Sequence, residues 1–296
     1  MRRSLLLLLW CDLAIWAGFF AVMPYLPDRM TQLGHSGTVV GLILAVRLLA
    51  QQGTMPVSGV LADRWGYRRS LLYGLGIRAA GFAFLAEARS VPMLALAAVL
   101  SGVGGSLIGA AFKGAYAAAP GEENLAAKFL WLAMVDRLGQ AVGPMLGQAA
   151  GSFGAQGGLA VCLFLGVGLA VWLWMPAYPG AQSRDSMLVS LRAQVGNTRL
   201  AWLVAVLCGY WAIQQQMSVL IPLAAAQIGR REQVGPLFSL SAMAGLLLVL
   251  LLPRIRMEQL WSRLLLAQGV TAGSMALPVL LPGFAGIVAT TVGLAV

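Results

Sequence analysis

Five ionisable side chains, Asp12, Arg47, Arg78, Asp136 and Arg137, interrupt the apolar stretches of this 296-residue chain. Their flanks, LLLLLWCDLAIWAGFF around Asp12 for example, offer no polar surface to which a charge could be sent. At the centre of a membrane helix such a charge costs roughly 2.5–3.5 kcal/mol on insertion scales, so it faces a bundle interior, pairs, or lines water. A carboxyl group placed there can take up and release a proton as its surroundings change, because burial favours the neutral form and a nearby cation the charged one. Asp12 is the leading candidate for that chemistry and Asp136 the second. Arg47, Arg78 and Lys113 are the candidate charge partners. At about 1.5 Å per residue, Asp12, Arg78 and Asp136 are expected at similar depths, ~10–15 Å from the same helix ends, with Arg47 nearer mid-membrane. A static ion pair between Asp12 and Arg78 is the plainer alternative. Arg137 points elsewhere on its helix than Asp136, so those neighbours form no pair.

The elements that carry these residues follow from composition. Hydrophobic residues make up 59% of the chain, charged residues 10%, and the mean hydropathy is +0.82. A soluble domain has roughly a quarter of its residues charged. Apolar runs long enough to cross a bilayer, about 17–25 residues, recur throughout. The chain reads as an all-α polytopic membrane protein, with helices predicted over 5–26, 38–62, 70–88, 91–117, 126–151, 157–175, 199–221, 235–252 and 262–281. A tenth run begins near Phe284 and reaches the last residue, Val296, after too few residues to span. The polar stretch 177–198 separates a six-helix bundle (1–176) from an incomplete second bundle (199–296), and a truncated chain is expected.

Lys and Arg number 20 against 10 Asp and Glu, yet they lie in short turns rather than in a stripe, which excludes nucleic acid as partner. With the N-terminus in the cytoplasm, 13 of the 20 fall on inward-facing segments and four (Arg29, Arg89, Arg230, Arg231) on outward-facing ones. That bias predicts a multi-pass protein of the cell (inner) membrane with a cytoplasmic N-terminus. MRRSLLLLLW resembles a signal peptide only at first, because the apolar run continues past Asp12 without a small-residue cleavage site.

Two glycine-containing motifs stand out. GVLADRWGYRR places Gly59, Asp63, Arg64, Gly66, Arg68 and Arg69 in the turn between the second and third helices. Gly59 is expected to permit close helix approach, Gly66 a tight reversal, and Asp63 to cap exposed N–H groups. In the fifth helix, DRLGQAVGPMLGQAAG repeats glycine every four residues at Gly139, Gly143, Gly147 and Gly151, a smooth stripe that admits a neighbouring backbone. Pro144 weakens the helical ladder beside it.

For a substrate cavity, Trp16 and Phe20 align with Asp12 on the first helix, and Tyr210 and Gln214 share a face of the seventh. Aromatic faces and amides in an apolar setting suit an amphipathic small molecule. No GxxxxGK[ST] loop is present, the lone His35 supports no triad, and Cys11, Cys162 and Cys208 lack metal-ligand spacing. The chain is therefore read as neither an enzyme nor a metalloprotein, without cofactor and with no obligate protein partner evident. Small-molecule substrate, protons and the lipid bilayer are its expected partners.

GVLADRWGYRR closely resembles the G-x-L-a-D-r-x-G-r-r signature of the major facilitator superfamily, at the same loop. The resemblance implies a fold of two six-helix bundles related by internal repeats. It also implies that Asp63 belongs to a latch that engages the second bundle when the transporter faces outward. The stretch GQAVGPMLGQ is similar to the family's antiporter motif G-x-x-x-G-P-x-x-G-G, with Gln148 in place of the last glycine, and tilts the reading toward efflux. WCDLAIWAGFFAVMPYLP, VRLLAQQGTMPVSGVLADRWG, IRAAGFAF and CGYWAIQQQM resemble the drug:proton antiporter branch, in particular its MdtH-type multidrug exporters. The branch's usual arginine early in the fourth helix is replaced by VLSGVGGSL, so Lys113 is the candidate positive charge there. The resemblance implies proton-driven export by alternating access. A metabolite uniporter or importer, and a transport-inactive scaffold or receptor, are the alternatives.

Overall fold

A computed structural model of the chain describes residues 3–120, 124–177, 198, 202, 219–251, 269–270, 273–274 and 283–293. Helix α1 (Arg3–Phe20) leads through a 3-10 turn (Met23–Tyr25) into α2 (Leu26–Gln32). There follow α3 (Gly37–Gly53), α4 (Met55–Trp65), α5 (Tyr67–Glu87), α6 (Val91–Ala118), α7 (Leu125–Ala150) and α8 (Phe153–Trp174). A helical segment at 219–227 precedes α9 (Val234–Leu251), and α10 is Phe284–Gly293. No strand occurs among the described residues.

Local chemistry sets the helix ends. Ser36, Asn124 and Ser152 each accept backbone N–H groups at the starts of α3, α7 and α8, as N-cap side chains do. The run expected as one helix over 5–26 is instead α1, the 3-10 turn and α2, because Pro24 and Pro27 cannot donate to the ladder. The run expected over 38–62 is likewise divided into α3 and α4, bent by 42° at Thr54 with Pro56 in the first turn of α4. Gly66 joins α4 to α5 at φ +83°, a conformation that L side chains rarely adopt.

Three segments are long and apolar enough to cross a membrane, residues 3–32, Val91–Ala118 and Phe153–Trp174, with the bent pair α3–α4 as a fourth. Helices α5 and α7 are also long, at 21 and 26 residues, but each dilutes its apolar surface with buried or half-buried charge. Both are packed between other helices, α5 against α6 and α8, and α7 against α1 and α9. Helices are present where 70–88 and 126–151 were expected, with Arg78 and Lys128 buried in them.

Small residues set the interhelical distances. A Cβ on Gly81 would come within 2.5 Å of the Ser101 backbone, and one on Gly104 within 2.5 Å of the Arg78 backbone, so α5 and α6 touch main chain to main chain. Gly102 approaches the Arg47 carbonyl of α3 as closely. The expected glycine stripe of α7 performs the same service against α1. Added Cβ atoms would lie 2.6 Å from Trp16 Cβ at Gly139, 2.7 Å from the Ala17 carbonyl oxygen at Gly143 and 2.1 Å from the Ala21 carbonyl oxygen at Gly147. Gly151 leaves the stripe: it ends α7 at φ +79° and meets nothing. The register rises on both helices together, so α1 and α7 run parallel. Small-xxx-small contact of this kind drives association where lipid removes the hydrophobic incentive.

Gly143→Val and Gly147→Val are expected to abolish or severely reduce the folded, monodisperse fraction in mild detergent, since forced overpacking typically costs about 1–3 kcal/mol or more. Gly158→Ala, where an added Cβ meets open space, is the control and should leave the thermal midpoint within a degree or two. Thermal-shift chromatography of the three variants measures this.

Candidate functional site

The α1–α7 register brings the two candidate carboxyl groups together. Asp12 is buried and Asp136 half-buried, and the parallel α1–α7 contact sets the two carboxyl groups beside each other, with Lys113 the opposite charge that acts on them. An ionised carboxylate only accepts, so a hydrogen bond between two carboxyl groups needs a proton on one of them. Asp12 Oδ2 is sealed from solvent and has no hydrogen-bond partner. Lys113 is exposed, projecting from the last turns of α6.

The alternative of an Asp12–Arg78 ion pair is not what the structure contains. Arg78 sits beside Phe19, seven residues and about 10 Å further along α1 than Asp12, so the expectation of equal depth also fails. The Arg78 guanidinium carbon lies 4.8 Å from the Phe19 ring centre, 5.3 Å from Phe164 and 6.0 Å from Phe82. Arg47 lies 5.1 Å from the same Phe19 ring, and its Nη1 donates to Gln51 Oε1 at 3.0 Å. Desolvated cation–π contacts contribute about 2 kcal/mol or more, against several kcal/mol to bury each ion, so the rings offset only part of the cost.

Sequence reasoning passed over Lys128. It is buried and donates from Nζ to the carbonyls of Ala117 at 3.0 Å and Ala119 at 2.6 Å, across the face of Tyr116, while Tyr116 donates to the Lys128 carbonyl at 2.9 Å. This cation closes the carboxyl end of α6, where a helix dipole favours positive charge. The signal was available in its position just after the α6–α7 turn.

Residues 59–69, expected as a turn, are instead the last two turns of α4, the junction residue Gly66 and the start of α5, because only Gly66 adopts the non-helical conformation. Asp63 caps no helix: it accepts from Tyr67 at 3.5 Å, and α5 starts without a side-chain cap. Arg68 donates to the Trp172 carbonyl, tying the turn to the end of α8, while Arg64 and Arg69 are exposed. A Cβ on Gly59 would meet open space, so the expected close approach there is not made. Tyr210 and Gln214 lie outside the described residues.

At the opposite end, α1, α2 and α7 close against α9. Tyr25 donates to the Pro144 carbonyl at 2.6 Å, Ser239 to the Ala141 carbonyl at 2.6 Å and Gln148 to the Glu232 carbonyl at 3.2 Å. Asp28 and Arg231 form an ion pair at 3.3 Å, and Arg230 stacks on Phe284 at 4.8 Å. Phe20 meets Phe238 with ring centres 6.5 Å apart, and Trp16 meets Phe20 at 5.9 Å. The two aromatic cavity candidates of α1 therefore sit at this closure. Asp136 and Arg137 part company, as expected: the Arg137 guanidinium lies over Gly245 of α9, where an added Cβ would come within 3.1 Å.

The sequence profile of the Major Facilitator Superfamily matches residues 8–296. The chain belongs to this superfamily. It is 34% identical to the multidrug resistance protein MdtH of Aeromonas hydrophila over 261 residues, covering 82% of this chain and 62% of that protein. Against MdtH of Yersinia pestis the identity is 32% over 272 residues, covering 90% and 66%. An uncharacterized MFS-type transporter of Mycobacterium tuberculosis is 32% identical over 246 residues, covering 78% and 56%. The chain thus spans between 56% and 66% of the length of these relatives. Among solved structures, a peptide transporter of the POT family superposes with a TM-score of 0.74 at 14% identity, over 99% of this chain and 80% of that one. The human organic anion transporter MFSD10 gives 0.69 at 16% identity, over 100% and 83%. At such identities the likeness establishes the fold, an all-α transporter fold of the superfamily.

Lys128→Met is expected to lower the thermal midpoint by several degrees, since it orphans the buried Ala119 carbonyl, at about 1–3 kcal/mol, and removes the bond to the part-buried Ala117 carbonyl. Lys113→Met, on an exposed side chain, should leave that midpoint unchanged, which differential scanning in detergent will show.

Proposed function

We propose that this superfamily member is part of a secondary active transporter that exports small amphipathic molecules across the cytoplasmic membrane by proton antiport. The observation that carries the reading is the α1–α7 register, which sets a buried Asp12 beside a half-buried Asp136, with Lys113 the opposite charge that acts on them. Two carboxyl groups and one cation can hold or release a proton as the helices around them shift, and release is coupled to shape when the shift changes their spacing. The names of the MdtH relatives support multidrug efflux as the task. The charge bias supports a cytoplasmic N-terminus, which makes the end closed by Asp28–Arg231, Ser239–Ala141 and Phe20–Phe238 the outer one. The arrangement then corresponds to a transporter closed to the outside, with α1–α8 as the amino-terminal bundle and α9 and α10 in the second. Asp63 and its glycines belong to an inner latch used in the opposite state.

Export needs the outer closure to open. The Asp28–Arg231 pair is exposed on the arginine side, and exposed pairs contribute about 0–1 kcal/mol, so it can part without a large barrier. The Ser239 hydroxyl, donating to the Ala141 carbonyl, adds about 1 kcal/mol.

The test is efflux from proteoliposomes under an imposed pH gradient, using the chain in the form that transports. Asp12→Asn and Asp136→Asn should each reduce gradient-driven efflux at least tenfold and flatten its pH dependence, while counterflow of cargo without a gradient persists. Unchanged pH dependence in both variants would show that the coupling lies elsewhere. Gradient-independent flux in the parent chain would favour a uniporter.

A further inference from the structure

The coupling reading leaves Arg47 and Arg78 without a task. Both are more than nine-tenths buried, at 7% and 5% exposure, and neither meets a carboxylate among the described residues. Each has an Nε–H that is sealed from solvent and unpartnered. Arg78 makes no hydrogen bond to a described residue. The Phe19, Phe82 and Phe164 rings cover guanidinium faces, but a guanidinium directs its five N–H donors in its own plane, where a ring accepts nothing. The hydroxyls nearest on α6 are engaged elsewhere, Ser101 with the Ala98 carbonyl and Ser106 with Ser58.

Gln51 links the two arginines. Its Oε1 accepts from Arg47, and its carboxamide and Arg78 Nη1 lie against the same residue, Gly105, where an added Cβ would come within 3.0 Å of Arg78 Nη1 and 3.3 Å of Gln51 Cδ. Like charges facing one another in an apolar bundle call for an anion, and planar in-plane donors suit a compact one. We propose that Arg47, Gln51 and Arg78 form a binding site for one compact anionic group, either a resident chloride ion or the carboxylate of a cargo molecule. The site is separate from the carboxyl pair and about 10 Å further along α1. Its occupation neutralises part of the charge buried between α3, α5 and α6.

Binding is measured at equilibrium on the full chain in lipid nanodiscs, so it does not depend on transport. Sodium chloride, sodium acetate and sodium benzoate are each titrated against sodium gluconate at constant ionic strength, following the thermal midpoint and the heat of binding. Saturable stabilisation by chloride and acetate is expected, weakened at least tenfold in Arg47→Gln and in Arg78→Gln. Benzoate competing with chloride assigns the site to a cargo carboxylate, and benzoate without effect assigns it to a resident small ion. Equal midpoints and no heat with every anion in the parent chain overturn the proposal, as does undiminished binding in folded arginine variants. Should an arginine variant not fold, Gln51→Leu takes its place, and the parent titration still decides.

Discussion

The main-chain contact between α1 and α7 is the constraint on which the rest of the described structure depends. Glycine at 139, 143 and 147 lets two long helices run parallel at backbone distance, with the Ala17 and Ala21 carbonyl oxygens filling the space of absent side chains. That register alone decides that Asp136 falls opposite Asp12 rather than opposite leucine. The stripe one residue on, about 100° round the helix, is then free to meet α9 through Arg137, Ala141, Pro144 and Gln148. One helix thus holds the acidic pair on one side and the partner helix on the other.

The apolar setting explains why the other charges sit as they do. Away from water, a cation must find ring faces, carbonyl oxygens or an anion, and the three buried cations among the described residues use different solutions. Lys128 uses helix-end carbonyls and is fully accounted for. Arg47 combines a ring with one amide oxygen, and Arg78 has ring faces only. Their burial is made possible by glycine on α6, which brings the helices close enough to shut out lipid and solvent together.

Much of this was legible in the sequence because membrane helices expose their solvent preference directly. The apolar runs, the interior placement of Asp12 and Asp136, and the close-packing role of Gly139, Gly143 and Gly147 all follow from residue type and period. The partners of the arginines did not, because depth along one helix says nothing about its axial offset from the next: Arg78 reached Phe19 instead of Asp12. Asp63 was expected to cap a helix, yet Gly66 at φ +83° starts α5 and turns Asp63 toward Tyr67. Lys128 escaped notice because a lysine after a turn looks like an ordinary topological anchor until its carbonyl acceptors are seen.

Pro144 ties these observations to motion. A proline within a helix removes one N–H from the ladder, here the donor to the Gln140 carbonyl, and so weakens that turn. On either side of it two hydroxyls bond to helix carbonyls as second donors, Ser239 of α9 at Ala141 and Tyr25 beside α2 at Pro144 itself. Of these, only the Ser239 bond joins α9 to α7, and glycine at 235 and 245 lets α9 approach Pro144, Gln148 and Arg137 of α7 closely. The α1–α7 contact is locked by backbone against backbone. In a transporter that alternates between two shapes, such a contact belongs inside one moving body, because parting it would leave backbone-width gaps that no side chain fills.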